Sequence, residues 1–485
     1  MEIKLGKILL ICLVMGAFSC KKDTLDPASN TTSTSGTTNN SNTTTNTSAY
    51  AAANSWVYDQ MKAWYLWADQ MPAKEKTNLN LVTGKDGQDD VKTYYFYSLL
   101  NDYPNTDRFS WIRENITDLT NSLSGVSTAF GFSRTAVYLD NTQTNVVFFI
   151  SNVVLGSPAE KAGLKRGDII LTINGTQING TNYATLIANN ETATFGLGEF
   201  KNGTYVLSGK TITATKAVVQ NNPIQFTKVI EKGNKKIGYL VYTQFLDTYD
   251  EALKQAFAQF KAAGVNEFVL DLRMNGGGRI SSADLLSSLL VKNPSVNNVI
   301  HRDEWNSAVV AKYPSVSTPT KFTLEPNNLN LGRLFVLTSN GTASASELVI
   351  NGLRPYMDVI IIGQNTYGKN VGSITISDDQ KRWTWGMQPI VLRTLNSKGE
   401  SNYGTKNGFA PDYVVSDNIY PFKPWGDETE TLLKKALEVI TGATIPADAS
   451  SRRSYRTLNT QVLEENISDN PADNNKDMFA KLPKQ

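Results

Sequence analysis

From about Ile224 to Gly442 short apolar strands alternate with helical stretches, and this alternation limits the fold more than any other feature of the chain. Ile237 to Tyr242 is one apolar run. Phe268 to Leu272 is another, apolar except for Asp271 and without alternation, as in sheets covered on both faces. Thr248-x-x-Glu251 has the pattern of a capping box, opening a helix that Gly264 stops. A helix over 283–290, a strand over 334–337, a helix after Ser344 and a strand over 359–362 follow, and a last helix near 428–440 ends at Gly442. Strands and helices in this order predict an α/β domain around a mixed sheet, here 218–442.

The preceding stretch, 123–217, reads differently. Val146-Val147-Phe148-Phe149-Ile150 and Ile169-Ile170-Leu171-Thr172-Ile173 are short strands, the second closed by the tight-turn pair Asn174-Gly175. Between them Ser157-Pro158 opens a short helix that Gly163 ends. From 49 to 122 the pattern is helical and aromatic-rich, with Trp56, Met61, Trp64 and Trp67 on one buried face. Ser29 to Ser48 holds only Ser, Thr and Asn apart from Gly36, so nothing apolar offsets the entropy of ordering it. It is expected to be a flexible tether within 20–48, reaching roughly 25 Å. The polar stretch 443–485 is expected to be weakly ordered.

Lys4 and Lys7 precede the apolar run Ile8 to Phe18, which is followed by Ser19-Cys20. About eleven apolar residues are too few to span a bilayer, which takes about twenty. A charged start, an apolar middle and a small-residue cleavage site describe a secretory signal over 1–19. The cysteine after that site resembles the lipobox of bacterial lipoproteins, which implies lipidation of Cys20. The expected location is the cell envelope, anchored by lipid to the outer membrane or periplasm or at the cell surface. With Cys12 removed, one cysteine remains, which leaves no disulfide framework and no cysteine-rich zinc site. Removing Lys4, Lys7 and Glu2 with the signal leaves 45 basic against 44 acidic residues, a balance that gives no support for nucleic-acid binding.

The chain has one histidine, His301, between an apolar pair and Arg302-Asp303-Glu304. It reads as a satisfied structural residue, so a Ser-His-Asp triad and two-histidine zinc motifs are both disfavoured. Ser344 stands at a strand-to-helix turn, where unpaired N–H groups and the helix dipole suit an oxyanion. Taken alone, Ser344-x-x-Glu347 is also a plain capping box. Lys369 lies twenty-five positions later between Gly368 and Asn370-Val371-Gly372. Burial would lower its pKa and make it a base for a serine without histidine.

Thr342-Ala343-Ser344-Ala345-Ser346-Glu347 followed by Gly368-Lys369 resembles the signature of C-terminal processing (tail-specific) serine peptidases. Asp271-Leu272-Arg273-Met274-Asn275-Gly276-Gly277-Gly278 is similar to that family's glycine loop, and Gly408 to Asp412 to its closing segment. Residues 157–175 resemble PDZ domains of bacterial proteases, with Phe130-Gly131-Phe132 matching their carboxylate-binding loop. The resemblance implies Ser344 as nucleophile, Lys369 as base, and the amides of Gly277 and Ala345 as oxyanion hole. It further implies a multidomain α/β protein with a helical N-terminal segment, a PDZ-like β-domain and a catalytic domain of the tail-specific, crotonase-like type. The implied activity is endopeptidase cleavage near the C-termini of protein or peptide substrates with free apolar tails, needing no cofactor and no metal. The family glutamine four residues after the lysine is Ser373 here, so Ser373 or another group such as Gln388 is expected to orient the amine. A non-catalytic scaffold that kept the groove, and an esterase on the same fold, are the competing readings.

Overall fold

The computed structural model describes residues 51–80, 91, 95–139, 142–445, 456–457, 461–469 and 476–483. The expected signal, Cys20 and the tether lie outside the described residues. Among the described residues no helix is long and apolar enough to cross a membrane.

The largest element is a six-stranded sheet. Its order is Ile224–Lys232, Lys235–Tyr242, Glu267–Asp271, Arg333–Thr338, Asp358–Gly363 and Tyr413–Val414. The first pair is antiparallel and the rest are parallel. Period-two side chains divide these strands between two cores. Leu240, Leu270, Val336 and Ile361 face the helices Asp250–Ala262, Ile280–Leu290 and Ala345–Leu353. Tyr239, Val241, Val269, Phe335, Leu337 and Ile362 face the helix Thr431–Thr441. Burial on both faces is why Phe268-Val269-Leu270 is apolar without alternation, and the buried Asp271 that follows is paired with Arg273.

The helix at Asp250 does not use the capping box anticipated from Thr248. Tyr249 occupies the cap without a side-chain bond. Asp250 and Glu251 instead place negative charge in the first turn, where the helix dipole favours it. Among the described residues of the N-terminal segment the longer helices are Ala51–Trp64 and Ile116–Leu123, with short helical turns and the strand Trp111–Arg113 between them. Trp56, Met61 and Trp64 are buried, and Trp67 packs against them partly exposed.

Residues 123–217 form an antiparallel sheet in the order Phe132–Tyr138, Val146–Val153, Ile169–Ile173, Thr192–Lys201, Thr204–Thr215. Its two connections to the rest of the chain pair with each other, Val126–Ala129 against Ala217–Gln220. The module rests on residues 420–425. Phe149 stacks on Tyr420 at 4.6 Å, and the Arg166 guanidinium lies 3.6 Å from the Trp425 ring while its Nε donates to the Lys423 carbonyl.

One expectation is overturned. The stretch 443–485 contributes structure where a weakly ordered tail was anticipated. Val462–Ser468 adds an edge strand antiparallel to Phe132–Tyr138. Met478–Phe479 inserts between Gly278–Arg279 and Val371–Ser373, parallel to both, in a second six-stranded sheet. Backbone pairing to strands more than a hundred residues away orders these segments, and no local periodicity announces that.

Candidate active site

Strand Arg333–Thr338 delivers the chain to a tight loop that ends at Ser344, from which the helix Ala345–Leu353 departs. Ser344 has φ +68° and ψ −115°, a backbone region costing a non-glycine residue about 1–3 kcal/mol. Hydrogen bonds hold it there. Ala343 N–H donates to the Asn275 carbonyl, Ser346 Oγ donates to the same oxygen at 3.0 Å, and Thr342 Oγ1 donates to the Leu272 carbonyl at 2.8 Å. The Ser344 side chain is buried, and among the described residues its hydroxyl has no hydrogen-bond partner. Ser344 and Glu347 stand in capping-box arrangement, with the Ser344 N–H donating to the Glu347 carboxylate, while the hydroxyl itself makes no side-chain cap hydrogen bond.

Glu347 explains how this loop is joined to Lys369. Its buried carboxylate accepts from Ser344 N–H at 2.7 Å, Lys369 N–H at 2.8 Å, Gly368 N–H at 2.8 Å and Thr366 Oγ1 at 2.6 Å. Burial pushes the Glu347 carboxyl up to about 7 against these donors, which favour the charged form. Gly368 has φ +86°, and a Cβ there would lie 1.6 Å from the Thr405 carbonyl oxygen, so only glycine fits.

The Lys369 side chain is 1% exposed. Burial pushes its pKa below the ordinary lysine value, and the carboxylate of Asp477 pulls it back up. The amine donates to the Lys476 carbonyl at 2.6 Å, lies 3.5 Å from Asp477 Oδ1 and sits 4.9 Å from the Phe109 ring centre. It is bonded to the chain's own late segment, and the Ser344 hydroxyl is left alone.

The glycine loop is fixed by Arg273, fully buried among Asp271, Asp417 and Glu430, each at 2.8 Å. Gly277 and Gly278 both have positive φ, +117° and +136°. A Cβ on Gly277 would fall 2.3 Å from the Asp477 carbonyl oxygen, 2.8 Å from Ser344 Cβ and 3.2 Å from Ala345 N. The expected oxyanion glycine thus borders the right space, but its N–H donates to Asn275 Oδ1 at 2.9 Å. The amide that reaches a carbonyl is the next one: Gly278 N–H donates to the Asp477 oxygen at 2.5 Å. In this structure Asn275 engages the Gly277 amide, while the Gly278 amide pairs with the inserted strand.

Neither residue suggested for orienting the lysine touches it. Ser373 Oγ donates to the Met478 carbonyl at 3.2 Å, and among the described residues both side-chain amide atoms of buried Gln388 lack partners. His301 is buried between Asp284 at 3.1 Å and Asp303 at 2.9 Å. Burial alone would depress it, but the two carboxylates outweigh that and raise it to about 10, a structural cation. Residues that sequence reading passed over include Phe109, Glu347, Gly278 and Asp477. Trp111 Nε1 also donates to Asp477 Oδ1 at 3.2 Å. The aromatic segment 107–111 was the available signal.

In the β-module the N–H groups of Phe130, Gly131 and Phe132 converge on one carboxylate, that of Asp469, at 2.6, 3.2 and 3.0 Å. The rings of Phe130 and Phe132 pack into the module's core against Phe195.

Comparison with known proteins agrees with this layout. Residues 236–415 match the family model for peptidase family S41, 149–195 that for the PDZ domain, and 52–111 that for the peptidase S41 N-terminal domain. The carboxy-terminal processing protease CtpA of Bacillus subtilis (strain 168) is 30% identical over 288 residues, 58% of this chain and 56% of that one. A carboxyl-terminal-processing protease of Picosynechococcus sp. is 26% identical over 295 residues, 59% of this chain and 65% of its own length. The chain thus spans somewhat over half the length of these curated relatives. A solved structure from Bacteroides fragilis NCTC 9343, assigned to the S41 proteases, superimposes with a TM-score of 0.66 at 28% identity, covering 80% of this chain and 98% of that one. The three matches follow one another along the chain in the order peptidase S41 N-terminal domain, PDZ domain, peptidase family S41.

Proposed function

We propose that this chain is a serine endopeptidase that cleaves protein substrates near their C-termini, with the PDZ domain receiving the substrate tail. Ser344 is the nucleophile and Lys369 the base. The observation that carries this reading is the pairing of an unpartnered, strained serine hydroxyl at a helix N-terminus with a fully buried lysine amine, both bordering residue 477. In the reacting state the neutral amine turns to the hydroxyl and takes its proton as Oγ attacks the scissile carbonyl. The N–H groups of Gly278 and Ala345 hold the oxyanion. The proton passes from Lys369 to the departing amine, leaving an acyl-enzyme. Water, deprotonated by the same lysine, then releases the new C-terminus.

An extended substrate tail would add to the edge of Phe132–Tyr138, its carboxylate held by the amides of 130–132 and an apolar last side chain directed to the module. Cys20 is the proposed lipid anchor, holding the peptidase at a bacterial membrane of the cell envelope through the 20–48 tether. Replacing Ser344 by Ala, or Lys369 by Ala, is expected to lower cleavage of an unstructured protein by roughly 10³-fold or more while the folded state persists by circular dichroism. Undiminished cleavage by Ser344→Ala overturns the reading.

A further inference from the structure

The PDZ groove and the catalytic cleft are both filled, and by the same stretch of chain. Val462–Ser468 is added to the groove strand in antiparallel register, with Val462 opposite Val137 and Ser468 opposite Ser133. Glu464 pairs with the buried Arg134 at 3.2 Å. Asp469 then places its side-chain carboxylate where the loop amides converge, and its own N–H donates to the Phe132 carbonyl at 2.9 Å. After six further residues the chain reaches the cleft. Lys476 and Asp477 engage the Lys369 amine, the Asp477 carbonyl meets Gly278 N–H beside Ser344, and Met478–Phe479 continues as an inserted strand. Met478 and Phe479 are 0% and 1% exposed, with Phe479 packed on Leu119 and Leu123 under the Arg279 guanidinium. This is a built interface. An open cleft lined by Ser133, Asn152, Met274, Gly276, Asn466 and Ser468 runs between the two ends.

We propose that residues 461–483 are an intramolecular ligand that holds the peptidase in a self-inhibited state, occupying the PDZ groove through an internal aspartate side chain and the catalytic cleft through residues 476–479. The inference rests on the peptidase reading above and adds what controls it. The ligand class follows: an internal acidic residue at the end of an extended segment serves the amide loop in place of a free terminus. The segment inhibits because it holds the base wrongly. The Lys369 amine is a donor to Lys476 beside the Asp477 carboxylate, an arrangement that favours its charged form, while the Ser344 hydroxyl has no base to take its proton. Linking two weak attachments by a short segment makes each rebinding intramolecular, so a substrate must outcompete both together.

The full chain tests this with the PDZ-end variant Glu464→Lys/Asp469→Lys and, separately, the cleft-end variant Phe479→Ser. Each is expected to raise kcat/KM for an unstructured protein by at least about fivefold, and a synthetic peptide of residues 461–483 should bind the Glu464→Lys/Asp469→Lys chain by fluorescence anisotropy and inhibit it competitively. The same peptide should bind that variant carrying Ser344→Ala, a readout that needs no activity. Unchanged or lower activity together with no peptide binding overturns the inference. A cut at Asp477–Met478 found by intact mass in the wild-type chain but absent from Ser344→Ala also overturns it, because the segment would then be a substrate. Peptide binding without peptidase activity in any variant would sink the catalytic reading and leave the intramolecular ligand standing.

Discussion

Ser344 and Lys369 are brought to one cleft by a residue that reacts with nothing. Glu347 bonds the backbone N–H groups of both, so the strained φ at Ser344 and the lysine loop share one buried carboxylate. Replacing Glu347 by Ala strands three amides and the Thr366 hydroxyl, and is expected to destabilise the fold by about 2–4 kcal/mol and abolish cleavage, as measured by urea unfolding and a peptide assay. His301 tests the opposite role. Its folded pKa of about 10 lies above the ordinary 6.5, so its stabilisation is complete below about 6.5 and is lost as pH rises through 10. Replacing His301 by Gln should cost about 2–4 kcal/mol at pH 6, much less above pH 10, and leave the pH profile of cleavage unchanged. A changed profile would mean that the histidine takes part in catalysis after all.

At the scale of elements, two glycines decide what the cleft can hold. A Cβ on Gly278 would lie 2.1 Å from the Phe245 carbonyl oxygen, and its amide is the one that reaches the Asp477 carbonyl. Gly278→Ala is expected to cut kcat by roughly 10²–10³-fold with a smaller effect on KM. A normal kcat would remove Gly278 from the oxyanion hole. Much of this scale was legible. Runs such as Phe268 to Leu272, with both faces buried, and the strand–turn–helix around Ser344 are local patterns, and local patterns survive in sequence. The engagement of the Gly277 amide was not legible, because it depends on which amide the Asn275 side chain captures. The strands Val462–Ser468 and Met478–Phe479 were invisible for a related reason: their pairing partners are distant, and Glu464, Glu465 and Asp469 make the first of them look like solvated chain. The Thr248 pattern misled in the other direction, since a capping motif states a local preference that the chain entering from Leu246 did not adopt.

Across the whole molecule, the β-module and the α/β domain are tied by residues 420–425 on one side, and residues 461–469 and 476–479 engage the one and the other. Arg166 of the PDZ domain and Arg273 of the glycine loop both lie against the Trp425 ring, at 3.6 and 5.3 Å. Whatever occupies the groove is therefore connected to what occupies the cleft, through packed side chains and through the chain itself. Lys369, the proposed base, reports on that connection. Burial lowers the Lys369 pKa and Asp477 opposes it, so cleavage should rise with pH along a limb centred below the ordinary lysine value. In Glu464→Lys/Asp469→Lys, with Asp477 beside the amine less often, the limb should move to lower pH than in the wild type in a stopped assay across pH 6–10. A limb that stays put would separate the groove from the base.

The most direct measurement is covalent labelling of the chain by a serine-reactive phosphonate, located by peptide mass spectrometry. The account expects the label on Ser344, increasing with pH along the lysine limb and absent when Lys369 is replaced by Ala. A label that settles elsewhere, or one that marks Ser344 equally well without Lys369, would contradict it.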